Sequence, residues 1–249
     1  MNTCNRISRN GVARRSRALS QTGVTLVEFA LVIPFALLVV LGIIQMGLIF
    51  SAKQLLNEAT FMAARAGAAL NAQADPMQKA MAKALIPFYQ DSGNTNDFTR
   101  LANALRDAQN DTSCAVPTSC FLKLEILNPS AASFNDFSVS GTAFGGSRYI
   151  PNDNLEFRSR STGGSSGQSI QDANVLKIKV TYGYQLKVPL MQSVFGSVMC
   201  GIRIGIDAFD GNNPGGDASG SDCTNYYSQG RVPVVAYATV QMQSPAIMR

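Results

Sequence analysis

Histidine is absent from the 249 residues, which excludes Ser-His-Asp and Cys-His catalysis and every His-containing zinc site. The five cysteines form no C-x-x-C pair. Asp210, Asn212, Asp217 and Asp222 lie in a Gly/Asn/Asp-rich stretch but lack the D-x-[DN]-x-[DN]-G spacing of a calcium loop, so they read as a flexible polar loop. There is no nucleotide-binding loop, no paired-carboxylate constellation and no internal repeat. The expectation is a protein without catalytic residues, metal or cofactor.

Acidic residues are missing from the first 23 positions, which hold Arg6, Arg9, Arg14, Arg15 and Arg17. Those five arginines account for the whole net charge of +5, leaving 16 basic against 16 acidic residues in the remainder. A nucleic-acid surface needs Lys and Arg clustered on a folded face, and the later basic residues are spread along the chain. No nucleic-acid partner is expected.

Charge is missing again from Phe29 to Phe50, 22 residues of which 15 are Leu, Ile, Val or Phe. At about 1.5 Å per residue this is roughly 33 Å of helix, close to the ~30 Å hydrocarbon core of a bilayer. The large apolar side chains contribute about 5 to 9 kcal/mol toward insertion before the adverse terms of Pro34, Gln45, Gly42 and Gly47. One membrane crossing is therefore expected. A cleaved secretory signal has a shorter apolar core of about 7 to 15 residues, although Ala64-Arg65-Ala66 keeps that alternative open. Five arginines before the span and Lys53 just after it predict a cytoplasmic N-terminus and an extracytoplasmic remainder.

Past Phe50, helix formers dominate to about Leu70 and no proline intervenes before Pro76, so the span should continue as one helix of roughly 47 residues, about 70 Å long. Pro34 cannot donate to the carbonyl of Ala30, which predicts a kink or an unwound turn. Ala59, Ala63 and Gly67, with Ala64 and Ala68, make a small-residue stripe that admits close approach of another backbone. The upper half of this helix must pack on a partner or on its own head.

Two short helices are expected over Pro76 to Tyr89 and Phe98 to Ala108, separated by Asp91-Ser92-Gly93-Asn94. From residue 121 the apolar period becomes two: Leu122, Leu124 and Ile126, and then Leu176 to Val188, with Leu176, Ile178, Val180, Tyr182, Tyr184, Leu186 and Val188 on one face. Val234 to Met242 is the expected partner strand. Ser159 to Ser169 reads as a Gly/Ser-rich loop. The fold class is α+β: a long N-terminal transmembrane helix, then a small extracytoplasmic head with short helices and an antiparallel sheet.

Cys4 precedes the span, whereas Cys114, Cys120, Cys200 and Cys223 follow it, an even number that suggests two disulfides in an oxidising compartment. Pairing Cys114 with Cys120 and Cys200 with Cys223 would contribute about 2.4 and 3.4 kcal/mol by the chain-entropy model. The two other pairings remain open.

Residues Gly23 to Phe29 read G-V-T-L-V-E-F, and V-E-F-A-L-V-I-P-F at 27 to 35, Gly42, Gly47 and A-T-F-M-A-A-R-A-G at 59 to 67 follow. This stretch closely resembles the TadE-like family of tight-adherence, or Flp-type, pilus assembly proteins, bacterial minor pseudopilins. The closing A-Y-A-T-V-Q-M-Q-S-P at 236 to 245 resembles the end of several such proteins, with less specificity. The resemblance implies a basic leader at 1–23 removed by a prepilin peptidase between Gly23 and Val24, a spine at 24–72 with its span at about 29–50, and a head at 73–249. It also implies a pilin-like role for Glu28, the fifth residue after the cut: pairing with the ammonium of Val24 in a neighbouring subunit or in its own chain. The alternative for Glu28 is an interfacial carboxylate that reaches headgroup water. Phe29 stands where major pilins of this type carry Tyr, which favours a minor pseudopilin over the shaft subunit. The implied partners are the inner membrane, the peptidase, other pilus subunits and the assembly platform, and the implied role is pilus assembly and adhesion. A competing reading is an unprocessed, single-span membrane-anchored envelope binding protein.

Overall fold

The computed structural model describes residues 24–90, 93, 96–113, 121–201 and 226–248, without the side chains of 24–26, 143 and 198–201. Packing divides the chain into two units, Met1–Val40 and Leu41–Arg249. Helix α1, Val24–Ala69, runs for 46 residues and contains Pro34. Its α-helical assignment continues through Pro34, so the unwound turn expected there is not formed.

In the first unit, every described side chain from Val27 to Val40 is exposed. They include Val27, Phe29, Leu31, Val32, Phe35 and Leu38. An apolar helix that buries nothing within its own unit has the surface of a lipid-facing segment. It is long and apolar enough to cross a membrane.

The second unit is built on a three-stranded antiparallel sheet in the order β1-β4-β5, formed by β1 (Leu122–Asn128), β4 (Val175–Gln185) and β5 (Arg231–Gln241). β4 and β5 pair without interruption from Val175↔Gln241 to Gln185↔Arg231. Alternation puts Leu176, Ile178, Val180, Tyr182 and Tyr184 of β4 on one face with Val234, Ala236 and Ala238 of β5, and all are buried. Against them pack Ala52, Leu56, Ala59, Ala63, Ala64 and Ala68 of α1 in a single core. Helix α2 (Ala74–Ala84) adds Met77, Met81 and Ala82, and α4 (Asp97–Ser113) adds Ala108.

The single helix expected over 76–89 is two. Pro87 cannot donate to the carbonyl of Lys83, so α2 ends and α3 (Ile86–Tyr89) begins after Leu85 with Pro87 in its first turn. β4 stops at Gln185, three residues before the expected end: Leu186 N–H still reaches the Gly230 carbonyl (3.0 Å), but the N–H of Val188 is taken by a side chain of α1 and Pro189 has none to offer. Three short helices and a second small sheet were not foreseen. They are α5 (Ala131–Phe137), α6 (Ile170–Ala173), α7 (Met191–Gly201), and the pairing of β2 (Val139–Ser140), β3 (Arg148–Ile150) and β6 (Ala246–Ile247). Reciprocal capping boxes start α5 and α6, Ser130 with Ser133 and Ser169 with Asp172.

Candidate functional site

The candidate site is α1 itself, a helix with two kinds of surface. Val24 is the first of its described residues, and Glu28 lies four residues further on. Glu28 is exposed among exposed Val27, Phe29 and Leu31. It is the one formal charge between Val24 and Ala52. A lone carboxylate on an otherwise apolar helix face is costly near lipid unless it is paired or reaches water. Gly23 lies outside the described residues.

Further along, the helix changes from exposed to buried on one side. Gln45, the single polar side chain in the run, is fully buried, and its Oε1 accepts the Val188 N–H at 3.0 Å. Lys53 Nζ donates to the Val235 carbonyl of β5. The small-residue stripe then meets the sheet. A Cβ placed on Gly67 would lie 2.5 Å from Met77 Sδ and 2.9 Å from Leu176 Cδ2, so hydrogen is the largest substituent that fits. The close approach anticipated from the stripe is made within this chain, to its own strand β4 and helix α2.

The end of α1 is held by the chain's last residues. Asn71 and Ala72 have φ of 59° and 56°, and the Ala72 N–H returns to the Gly67 carbonyl at 2.8 Å, a Schellman-type ending. The Ala68 carbonyl, left over by the helix, accepts Gln243 N–H (2.9 Å) and Ser244 N–H (3.1 Å). Ser244 Oγ accepts the Asn71 N–H at 2.8 Å, and Asn71 Nδ2 donates to the Pro245 carbonyl at 2.7 Å. The Q-S-P of the closing motif is therefore a helix cap supplied from 173 residues away in sequence. Its signal in the sequence was only a resemblance, because a cap from a distant segment leaves no local spacing to read.

The outward side of α1 in the second unit carries Phe61, Met62 and Leu70, all exposed, with the Arg65 guanidinium 5.9 Å from the Phe61 ring centre. Met62, Ala66 and Leu70 form one wall of an open groove of about 590 Å³ whose other wall is Pro76, Lys79 and Lys83 of α2. At the far end of the sheet, Phe88 stacks on Tyr182 with ring centres 5.5 Å apart. Tyr89 donates to Asp111 Oδ2 at 2.6 Å, tying α3 to α4. Burial, then the neighbouring Tyr182 and Asp111, push the Tyr89 hydroxyl far above the usual phenolic range, so it stays a donor. These are structural fastenings.

Asp136 organises the Gly/Ser-rich loop. It accepts the Ser166 hydroxyl (2.7 Å), the Ser166 N–H (2.7 Å) and the Ser165 N–H (3.1 Å), and these bonds, the Ser166 hydroxyl foremost, draw its carboxyl down to about 2. Among the described residues, no group of three or more Cys, Asp or Glu is placed to hold a metal. Cys114, Cys120 and Cys223 lie outside the described residues, as does the side chain of Cys200, whose backbone is in α7. The expected disulfides and the Asp210–Asp222 loop fall there too.

The sequence model of the family described as TadE-like protein matches residues 23–65. No curated protein and no solved structure matches this chain. The match begins at Gly23, takes in Glu28, Phe29, Pro34 and Gln45, and ends at Arg65. Over these residues the chain is similar to the TadE-like family, a structural component of the pilus, which points to a Tad pilus-associated protein, and its apolar helix suggests membrane anchoring.

Proposed function

We propose, from the TadE-like domain at residues 23–65, that this chain is a minor pseudopilin of a tight-adherence pilus. A prepilin peptidase cuts between Gly23 and Val24, releasing residues 1–23. The spine at 24–72 then anchors the protein in the inner membrane, with the N-terminus cytoplasmic and the head at 73–249 extracytoplasmic. Other pilus subunits and the assembly platform are its partners. Glu28 pairs with the ammonium of Val24, from its own chain or a neighbour, and Phe29 packs beside it. The observation that carries this reading is that the family match starts at Gly23 and a single carboxylate, Glu28, follows five residues later in an exposed apolar helical stretch.

The burial of Ala59, Ala63, Ala64 and Ala68 in the core of the second unit favours retention of the helix over cleavage near Ala66. Such a cut would take away one wall of that core.

Intact mass and N-terminal sequence of the membrane-extracted protein, from cells with and without active prepilin peptidase, test the proposal. A start at Val24 only when the peptidase is present is expected. An uncut N-terminus in both would overturn it in favour of a fixed membrane-anchored binding protein.

A further inference from the structure

Phe157 is the most exposed large apolar side chain among the described residues, at 88%. The turn of 3-10 helix that carries it, Leu155–Phe157, is fastened on several sides. Asn154 enters it with φ of 50°, and the Phe157 N–H returns to the Asn154 carbonyl at 3.0 Å. Gln171 Nε2 of α6 donates to the Leu155 carbonyl (2.9 Å) and the Arg158 carbonyl (3.1 Å), while Arg158 Nη2 donates to Asp153 Oδ1 at 3.0 Å. Leu155 packs against the core. A ring held out to solvent on a fixed turn has little freedom left to lose on docking, the property of an interface anchor. Beside it Glu156 is exposed, with no hydrogen-bond or ion-pair partner among the described residues. The other very exposed ring, Phe98 at 82%, adjoins Asp97, whose carboxylate is already taken by Arg100 at 2.9 Å.

The groove between α1 and α2 has the complementary character. Met62 and Leu70, 44% and 51% exposed, stand along one wall, and Ala66 and Ala80 leave open the space between the helices. Asp75 holds Lys79 at 2.8 Å, which leaves exposed Lys83 as the groove's cation without an acidic partner among the described residues. We propose that this groove receives the Leu155–Phe157 turn of a second copy of the chain, with Phe157 between Met62 and Leu70 and Glu156 paired to Lys83. The occupant is a second copy because one chain carries both halves of the match: an aromatic knob beside a free carboxylate, and an apolar groove beside a free ammonium. The Met62 thioether adds a sulfur–aromatic contact. Lipid is a poor occupant for Phe157, since the charge of Glu156 would have to enter with it. Knob and groove are different patches, so the contact is head-to-tail. All the residues concerned lie in the second unit, and neither leader processing nor pilus assembly enters.

The test is photo-cross-linking of the full chain, with p-benzoylphenylalanine in place of Phe157, reconstituted in phosphatidylcholine vesicles. Irradiation should give a covalent dimer whose cross-linked peptide, read by mass spectrometry, runs from position 157 to Met62, Ala66, Leu70 or Ala80 of the other copy. E156K and K83E should each lower the dimer yield at least about fivefold, and E156K/K83E together should bring it back to within about twofold of the parent. Both side chains are exposed, so neither reversal disturbs the core. A80W, which fills the groove, should abolish the dimer. The proposal is overturned if no dimer forms, if the cross-links map to lipid or to another surface of the second copy, or if the double reversal stays as low as the single ones.

Discussion

Gly67 separates packing within this chain from packing between chains. In the helix interior Gly67→Ala should gain about 0.8–1.0 kcal/mol of helix propensity if nothing stands near it. Here the added methyl meets Met77 Sδ at 2.5 Å, Met77 Cγ at 2.8 Å and Leu176 Cδ2 at 2.9 Å. Both side chains are fully buried, so neither has open space to move into. Overpacking of this kind costs about 1–3 kcal/mol, and the net expectation is a loss of about 0–2 kcal/mol. Gly67→Val gives up the propensity gain and adds two further methyls, so its loss should exceed that of Gly67→Ala by about 1–3 kcal/mol.

The assay is chemical denaturation of the full chain in detergent micelles, followed by far-UV circular dichroism and by limited proteolysis. Truncating Met77 opens the space from the other side. Met77→Ala alone should cost about 2–5 kcal/mol, and combined with Gly67→Ala it should cost less than the sum by about 0.5–3 kcal/mol. If Gly67→Ala is more stable than the parent by the full propensity term, and the double variant is additive, the close approach to β4 and α2 is refuted. The stripe would then be free for another subunit.

Ser244→Ala removes the acceptor of the Asn71 N–H and a donor to the Ala68 carbonyl, and should destabilise the second unit by about 1 kcal/mol in the same denaturation assay. Glu28→Leu should leave membrane insertion intact, measured by carbonate extraction, while sharply reducing pilus formation counted by electron microscopy; unchanged piliation would remove the proposed role of Glu28. Asp136 is a carboxyl whose folded value, about 2, lies below its ordinary 3.8, so its hold on Ser165 and Ser166 is fully present above about pH 3.8 and is lost as pH falls through about 2. Protection of the loop amides, corrected for the pH dependence of intrinsic exchange, should therefore fall as pH drops through that window in the parent, and Asp136→Asn should show low protection already at neutral pH.

The parts of the fold legible in the sequence were those with a strong period. Leu176 to Tyr184 alternates without error because one face of β4 is entirely core. The uncharged run of α1 is visible because lipid imposes one requirement on every side. The missed parts depend on partners far away in sequence. The early end of β4 follows from a glutamine 143 positions earlier taking the Val188 N–H. The small sheet joins Tyr149 to Ile247, which no local pattern announces. The break at Leu85 is fixed by Pro87, but the apolar period continues across it and masks the signal. As for the site, Glu28 stood out by its isolation. The second role of Gln45 did not, because a lone polar residue in an apolar run looks the same whether lipid or protein covers it.

The upper half of α1 is what joins the membrane to the head. Between Ala52 and Ala68 its inward side is part of the only large core of the second unit among the described residues, so the sheet cannot complete its packing unless the helix is present. The lysine bond to the Val235 carbonyl and the Q-S-P cap fasten the same helix at two further heights. A flexible tether between membrane and head would leave the head free to tumble. The helix that carries the apolar run is instead continuous with one wall of the head core. The small residues serve that arrangement: Ala and Gly at 59, 63, 64, 67 and 68 bring the sheet close enough for Leu176 and Met77 to reach the helix backbone.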